Sequence, residues 1–167
     1  MHSDQDRVFL VHQLTEMPDF LRESCLGMTG EIALAQPKCD KDFLLSHFCH
    51  LVDCEDDLYG ARIHRLLTEA SPQLAGVDVF LWPTEREYHL RDADEAIRHF
   101  IAARCALVER LKALEPEQWA AGGTRFNGAA CDVREMVFDL INHDRDHRVR
   151  IAKILRGFIG EAARRLG

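Results

Sequence analysis

Two histidines, His143 and His147, stand four residues apart within a helical pattern of apolar residues. Residues spaced by three or four positions lie on one face of a helix, so both imidazoles are predicted to face the core. Buried imidazoles need partners for their ring nitrogens, and a divalent cation binds one nitrogen of each ring while keeping the rings neutral. The pair therefore predicts two ligands of a metal site. The stripe comprises Met136, Leu140, His143, His147, Ile151, Ile154 and Phe158.

A second helical stripe offers further ligands. Zinc and similar cations generally take at least three protein ligands, so a third should come from a distant helix. His47 and His50 both qualify, and periodicity does not choose between them. Cys54, one turn beyond His50, is a third candidate. The alternative to a metal site is a set of core histidines whose nitrogens pair with carbonyls or carboxylates. This stripe comprises Phe43, His47, His50, Cys54 and Leu58.

The elements that must position these ligands are helices. Four patterns of helical periodicity follow one another, and no stretch shows the sustained period-two alternation of a sheet. Pro18 should kink or restart the first helix, and Asp132 with Glu135 approximates a capping box at the start of the last. The sequence therefore predicts an all-α protein, a four-helix bundle. The patterns cover roughly residues 7–25, 40 or 41 to 68, 92–114, and 132 onward.

Composition bounds the class of protein. The 167 residues, 47% hydrophobic and 29% charged, suit a single globular domain spanning residues 1–167. No apolar run approaches the roughly 18 residues of a membrane span, and the N-terminus is unlike a signal peptide, so we expect a cytoplasmic protein. A formal net charge of −7 without a long Lys/Arg run disfavours nucleic acid as a partner. The six cysteines contain no C-x-x-C pair, lie mostly within helical patterns and are expected to be reduced and structural.

Two segments of the sequence resemble the paired signatures of a known family. Residues 50–55 (HLVDCE), with Arg62 downstream, and residues 143–147 (HDRDH) look like those of the DinB superfamily and its YfiT-like group of metalloenzymes. The likeness covers most of the chain, with its pieces in the family's order. The other pieces are Pro72, Leu74, Asp78, Tyr88, Phe100, Arg104 and Trp119.

The resemblance implies a four-helix bundle in which His50, His143 and His147 bind one divalent metal ion and leave coordination positions open to water or substrate. His47 then becomes the less favoured ligand. Characterised relatives include transferases that use a low-molecular-weight thiol, and many others are labelled metal-dependent hydrolases, so a small-molecule substrate is expected. Histidine ligands suit zinc and nickel first, and also iron and copper. Related proteins are frequently dimers, which makes a homodimer a further expectation.

A charged residue on the third helix also needs a partner. Arg104 lies on an otherwise apolar stripe, where a guanidinium requires a carboxylate or an anionic ligand. We predict a buried salt bridge with Glu55 or Asp53 in preference to a substrate carboxylate. Asp144 either orients an imidazole or faces a neighbouring helix or solvent. Three aromatic residues either line a pocket or cover the core: Tyr88, Trp82 and Trp119.

Two classes of function remain open. The first is an enzyme with a catalytic metal and a coordination position open to solvent; the second is a non-catalytic bundle that uses the metal as a structural tie or binds a ligand without turning it over. A structural site would be closed by a fourth protein ligand, for instance Cys54 or His47. We favour the catalytic site, because the resemblance supplies three ligands and a core of this size does not require a metal for stability.

Overall fold

Four long helical segments form the body of the protein in the computed structural model, which describes residues 4–166, with the side chains of residues 5–160 and of Arg164. Residues 1–3 and 167 of the predicted domain lie outside the described residues. The described part confirms the predicted helical bundle. In chain order the elements are α1 (Asp4–Gln13), α2 (Glu16–Ser24), α3 (Gly30–Leu34), α4 (Leu44–Cys54), a π-helix (Glu55–Gly60), α5 (Ala61–Thr68), α6 (Trp82–Glu85), a 3-10 helix (Tyr88–Leu90), α7 (Ala93–Lys112), a second 3-10 helix (Pro116–Ala120), strands β1 (Gly122–Thr124) and β2 (Ala130–Asp132), and α8 (Val133–Leu166).

Local sequence signals set several helix ends. The predicted break near Pro18 is present, because the chain leaves the helix between α1 and α2, just before the proline. After α2, Gly27 has a φ of +82°, the left-handed conformation that favours glycine. The side chains of Asp92 and Asp132 each accept a hydrogen bond of 2.8 Å from the backbone N–H three residues later, and so cap α7 and α8.

The second helical segment begins later than its sequence indicates. The predicted start at residue 40 or 41 is wrong, because α4 begins at Leu44. Asp40 and Asp42 instead accept hydrogen bonds from Arg150 of α8, at distances between 2.5 and 2.8 Å. These charge-assisted bonds satisfy the carboxylates outside the helix and tie the start of α4 to the middle of α8.

A π-helix follows α4 directly and joins it to α5. In this wider turn each N–H bonds to the carbonyl five residues earlier instead of four. Gly60 closes the turn: a Cβ at this position would lie 2.3 Å from the backbone carbonyl oxygen of Glu55. The sequence pattern predicted one uninterrupted helix, because a single extra residue in one turn leaves most of the apolar spacing intact.

A small β-hairpin forms in the glycine-rich connection before α8. Strands β1 and β2 pair antiparallel, with Gly123 opposite Cys131, and Thr124 also bridges to Gln73 of the earlier connection. A Cβ at Gly123 would lie 2.5 Å from the carbonyl oxygen of Pro72, so glycine is required where the two connections touch. Strands of three residues are too short for an alternating pattern, which is why the sequence did not indicate them.

Two apolar clusters make up the core of the described bundle. On α7 and α8, polar side chains stand in the sequence between residues of one cluster and residues of the other: Arg104 lies between Phe100 and Leu107, and the two histidines of α8 lie between Leu140 and Ile151. The bundle therefore places polar groups at the junction of its two apolar clusters: Arg104 is fully buried and needs internal partners, whereas His143 and His147 are half-buried.

Candidate metal centre

Four histidines from two helices meet inside the bundle, and we refer to His47, His50, His143 and His147 as the histidine cluster. The ring centroids of His50 and His143 are 5.3 Å apart, those of His50 and His147 are 4.9 Å apart, and those of His143 and His147 are 4.5 Å apart. His47 joins the cluster through His147, at a centroid distance of 5.2 Å. The structure thus brings together the three histidines named from the sequence and places His47 beside them.

Ring nitrogens of opposite helices are in direct contact. His50 Nε2 lies 3.1 Å from His143 Nε2, and His47 Nδ1 lies 3.0 Å from His147 Nδ1. In each pair one nitrogen must carry the hydrogen and the other must accept it. Cys54 adds a sulfur atom to the group, because its Sγ lies 3.3 Å from His50 Nε2. The donor atoms of His50, Cys54 and His143 all lie within 4.8 Å of one another.

The spacing of the donor atoms of His50, Cys54 and His143 fits a divalent cation, whereas no ring nitrogen of His147 belongs to that group. With zinc–nitrogen bonds of 2.0–2.1 Å, two nitrogen ligands of a tetrahedral ion stand about 3.3 Å apart, close to the 3.1 Å between the Nε2 atoms of His50 and His143. Two buried nitrogens, His47 Nε2 and His143 Nδ1, have no hydrogen-bond partner among the described residues. A cation would remove the need for hydrogens between the facing rings.

Burial keeps the imidazoles of His47, His50 and His147 uncharged at neutral pH. It lowers the pKa of His50 to about 4, with a further lowering by His143 and His47. Burial likewise lowers the pKa of His47 to about 4, with Arg150 as the next cause. The pKa of His147 is also held well below its ordinary value, by burial and then by the neighbouring histidines. Neutral imidazole is the form that binds a metal ion.

A buried ion-pair network stands directly beside the cluster. Arg104, which is 0% exposed, donates to both carboxylate oxygens of Glu55 at 2.8 and 2.9 Å, and it also forms a bidentate contact with Asp144. The prediction of a Glu55 partner is confirmed, and the alternative partner Asp53 is wrong. Burial opposes the charge on Arg104, but Asp144 and Glu55 outweigh that effect and raise its pKa. The arginine is therefore held as a cation between two carboxyl groups.

Asp144 connects this network to the cluster. Its carboxylate is buried, and its Oδ1 lies 3.8 Å from His143 Nδ1, slightly beyond hydrogen-bond length. Although burial raises the pKa of Asp144, the guanidinium of Arg104 outweighs it and holds that pKa below its ordinary value. A fixed negative charge beside Nδ1 favours a hydrogen on that nitrogen and leaves the lone pair of His143 on Nε2.

Asp53 has a different partner from the one its sequence position indicated. Its carboxylate accepts a hydrogen bond from Tyr88 Oη at 2.7 Å and pairs with Arg91 at 3.0 Å and Arg86 at 3.1 Å. Arg86 in turn lies over the ring of Trp82, with its guanidinium carbon 4.1 Å from the centroid. This network ties the connection between α5 and α7 to α4, and therefore fixes the wall of the site that this connection supplies.

A cavity of about 260 Å³ reaches the cluster from the surface. Of the aromatic residues named from the sequence, Trp82 lies 6.3 Å from His50 between ring centroids, whereas Trp119 belongs to the other apolar cluster. Tyr59, whose ring lies 5.3 Å from that of His143, was missed because it stands in the π-helix, outside the apolar stripe. The cavity is lined by Lys41, Asp42, Ser46, His47, His50, Val79, Phe80, Pro83, His147 and Arg150.

The fold and the cluster define a helical bundle with a histidine-rich candidate metal site, and comparison with known proteins gives its family. The chain belongs to the DinB superfamily, whose sequence model matches residues 13–150. Its structure is similar to that of YfiT from Bacillus subtilis, described as a probable metal-dependent hydrolase with an unusual four-helix bundle topology, at a TM-score of 0.82 and 17% identity. The match covers 93% of this chain and 89% of YfiT, and at this identity it shows the fold. No curated protein sequence matches the chain significantly.

Proposed function

We propose that the protein is a mononuclear metal-dependent enzyme acting on a small molecule, with His50, His143 and His147 as ligands of one divalent cation. The observation that carries this proposal is the convergence of three imidazoles from two helices, with ring centroids 4.5 to 5.3 Å apart. A cation held by neutral ligands keeps its full charge and supplies Lewis acidity, which activates water or a thiol near neutral pH. We therefore propose hydrolysis or transfer of a low-molecular-weight thiol as the reaction.

From the surroundings of the three rings we propose a ligand nitrogen for each. Nδ1 of His147 is engaged by His47 at 3.0 Å, so we assign Nε2 of His147 to the cation. Asp144 stands beside Nδ1 of His143, which leaves Nε2 of that ring, opposite Nε2 of His50. Hydrogen bonding at the far nitrogen fixes the tautomer and the orientation of a metal-binding imidazole. In this proposal His47 and Asp144 are positioning residues.

The cavity limits the substrate to a small molecule. Its volume of about 260 Å³ is slightly below the range of about 300–1,000 Å³ that is typical of small-molecule clefts. Val79, Phe80 and Pro83 supply apolar contacts along one wall. The net charge of −7 also disfavours a polyanion such as nucleic acid. Zinc and nickel are the metals we expect first, and imidazole ligands also suit iron and copper.

A structural metal site is the second candidate function. The observation that favours it is the position of Cys54 and His47, which lie 3.3 and 3.0 Å from nitrogens of His50 and His147. Four protein ligands would close a tetrahedral site, whereas a catalytic site keeps a position for water or substrate. Exchange of a bound water for added inhibitors such as azide, measured on the cobalt-loaded protein, would separate an open site from a closed one.

Metal content tests the proposal directly. Purified protein is stripped with a chelator, reconstituted with zinc, desalted and analysed for metal by mass spectrometry. We expect about one zinc ion per chain for the wild type, and loss of binding in His50→Gln, His143→Gln and His147→Gln. His12→Gln is the matched control, because His12 is exposed on α1 and far from the cluster in sequence. Substoichiometric zinc in the wild type, or full zinc in all three ligand variants, would contradict the proposal.

The reaction type needs a separate measurement. The zinc- and nickel-loaded proteins are incubated with ester and amide substrates, and in parallel with an electrophile and a panel of low-molecular-weight thiols. Conjugate formation that needs both the metal and the thiol selects the transferase, whereas product formation without thiol selects the hydrolase. The His12→Gln protein should match the wild type in either assay. Product formation unaffected by metal removal would rule out both reactions at this site.

A further inference from the structure

We propose that Cys54 binds the same cation as a thiolate, so that the site has three nitrogen donors and one sulfur donor. This inference rests on the proposed function and adds a fourth protein ligand to the three histidines; the site remains catalytic when the cation takes up a fifth ligand or Cys54 departs. The geometry points to it because Cys54 is the last residue of α4, one turn after His50 on the same face, and its Sγ lies 3.3 Å from His50 Nε2.

Proximity to two imidazole donors separates Cys54 from a cysteine that only packs in the core. Its side chain is 1% exposed, and its sulfur atom and the donor atoms of His50 and His143 all lie within 4.8 Å of one another. On a tetrahedral zinc ion with bonds of about 2.3 Å to sulfur and 2.0–2.1 Å to nitrogen, these two ligand atoms stand about 3.5 Å apart. The observed 3.3 Å is about 0.2–0.3 Å shorter than the tetrahedral spacing.

Another cysteine of the same helix shows what a packing role looks like. Cys49 is also buried in α4, but its Sγ approaches only the backbone carbonyl oxygen of Tyr88, at 4.0 Å. Free cysteine in a core ordinarily behaves as a small apolar residue, and Cys49 fits this description. Cys54 differs because a second metal-binding group faces its sulfur. The alternative is a hydrogen bond from the Cys54 thiol to His50, which needs no cation.

A thiolate ligand would change the chemistry of the site. Sulfur is a soft donor, so it favours zinc, nickel or copper over the harder divalent ions. Its negative charge lowers the net charge of the centre and thereby weakens its Lewis acidity. With four protein ligands in place, a substrate atom enters only if the cation adds a fifth ligand, as catalytic zinc does, or if Cys54 leaves. Cys54 would therefore control access to the cation.

X-ray absorption at the zinc edge tests the inference on the wild-type protein, without any substitution. We expect one sulfur neighbour at about 2.3 Å in addition to nitrogen neighbours at 2.0–2.1 Å. The sulfur signal should be absent from Cys54→Ser and unchanged in the matched control Cys49→Ser. Removing the ligand should weaken zinc binding by about 100-fold or more, since loss of a mere outer partner already costs 10- to 100-fold. Circular dichroism checks that both variants fold.

Cobalt substitution separates failure of the inference from failure of the proposed function. Cobalt(II) in the site should show visible ligand-field bands together with a near-ultraviolet thiolate-to-cobalt band, and only the latter should disappear in Cys54→Ser. Ligand-field bands without a thiolate band in the wild type would refute the role of Cys54 and leave the three-histidine site standing. Absence of any bound cobalt or zinc would overturn both.

Discussion

The buried ion pairs of Arg104 with Glu55 and Asp144 should contribute measurably to the stability of the bundle. Arg104 is 0% exposed and donates to Glu55, Asp144 and the backbone carbonyl oxygen of Leu14, the last at 3.2 Å. In Arg104→Met the apolar stem is kept, but two buried carboxyl groups lose their cation. Breaking a buried pair by removing one partner costs about 3–5 kcal/mol. We expect Arg104→Met to lower the free energy of unfolding by about 4 kcal/mol at pH 7.

Urea denaturation of the metal-free protein, followed by circular dichroism, measures this loss. For a chain of this size it corresponds to a fall of about 8–16 °C in Tm. The triple variant Arg104→Met/Glu55→Gln/Asp144→Asn removes the stranded charges along with the cation and should recover most of the stability. Arg104→Lys, which keeps the charge but cannot form both bidentate contacts, should fall between the wild type and Arg104→Met.

The pH dependence of the same variant supplies a second readout. Without the guanidinium, burial raises the pKa of both remaining carboxyl groups above their unfolded values. The folded state of Arg104→Met then takes up protons before the unfolded state does, so its deficit against the wild type should shrink as the pH falls from 7 to 5. A deficit below about 1 kcal/mol at pH 7, or a triple variant as unstable as Arg104→Met, would refute the reasoning.

Three further predictions concern single features of the fold and the cluster. Because the pKa values of His47 and His50 are both lowered to about 4, the unfolded chain binds protons at these residues before the folded protein does as the pH falls below 6.5. The free energy of unfolding of the metal-free protein, measured by urea denaturation, should therefore fall by up to about 3 kcal/mol per histidine between pH 6.5 and 4. Its dependence on pH should be weaker in His47→Gln. Gly60→Ala places a Cβ 2.3 Å from the backbone carbonyl oxygen of Glu55 and should lower the free energy of unfolding by about 1–3 kcal/mol. An unchanged midpoint of urea denaturation would show that the π-helix adjusts to the Cβ without loss of stability. Tyr88→Phe removes the hydroxyl donor that lies 2.7 Å from Asp53, while Arg86 and Arg91 still pair with that carboxylate. The free energy of unfolding, measured by thermal denaturation, should fall by about 1–2 kcal/mol. No measurable change would mean that the two arginines alone stabilise the Asp53 carboxylate.

The sequence was most informative where one pattern decided the outcome. Helical spacing alone predicted that His143 and His147 share the core-facing stripe of α8, and Leu140 and Ile151 on the same stripe are buried at 1% and 0% exposure. The buried pairing of Arg104 with Glu55 followed from the cost of an isolated guanidinium in a core. The fold class needed only such periodicity together with the absence of alternating strands.

Contacts between distant segments were beyond this kind of reasoning. Asp40 looked like the first turn of a helix, but it pairs with Arg150, which lies 110 residues later. Spacing could not rank His47 against His50, because both fall on the side of α4 that faces α8, and the structure places both in the cluster. The proximity of Cys54 to His143 depends on how the two helices pack, which a single sequence does not specify.

The π-helix holds one residue more than an α-helical turn would, because each of its hydrogen bonds spans five residues instead of four. Deleting one residue between positions 55 and 60 would therefore let this turn become α-helical and leave Ile63 and Leu66, now 0% and 2% exposed, on their present buried face. A deletion within α5 has no wider turn to close: each residue of an α-helix turns the chain by about 100°, so the residues beyond the deletion would leave the face that now packs in the core. The chain can thus lose one residue next to the imidazole-bearing helix without rotating either half of the continuous helical segment.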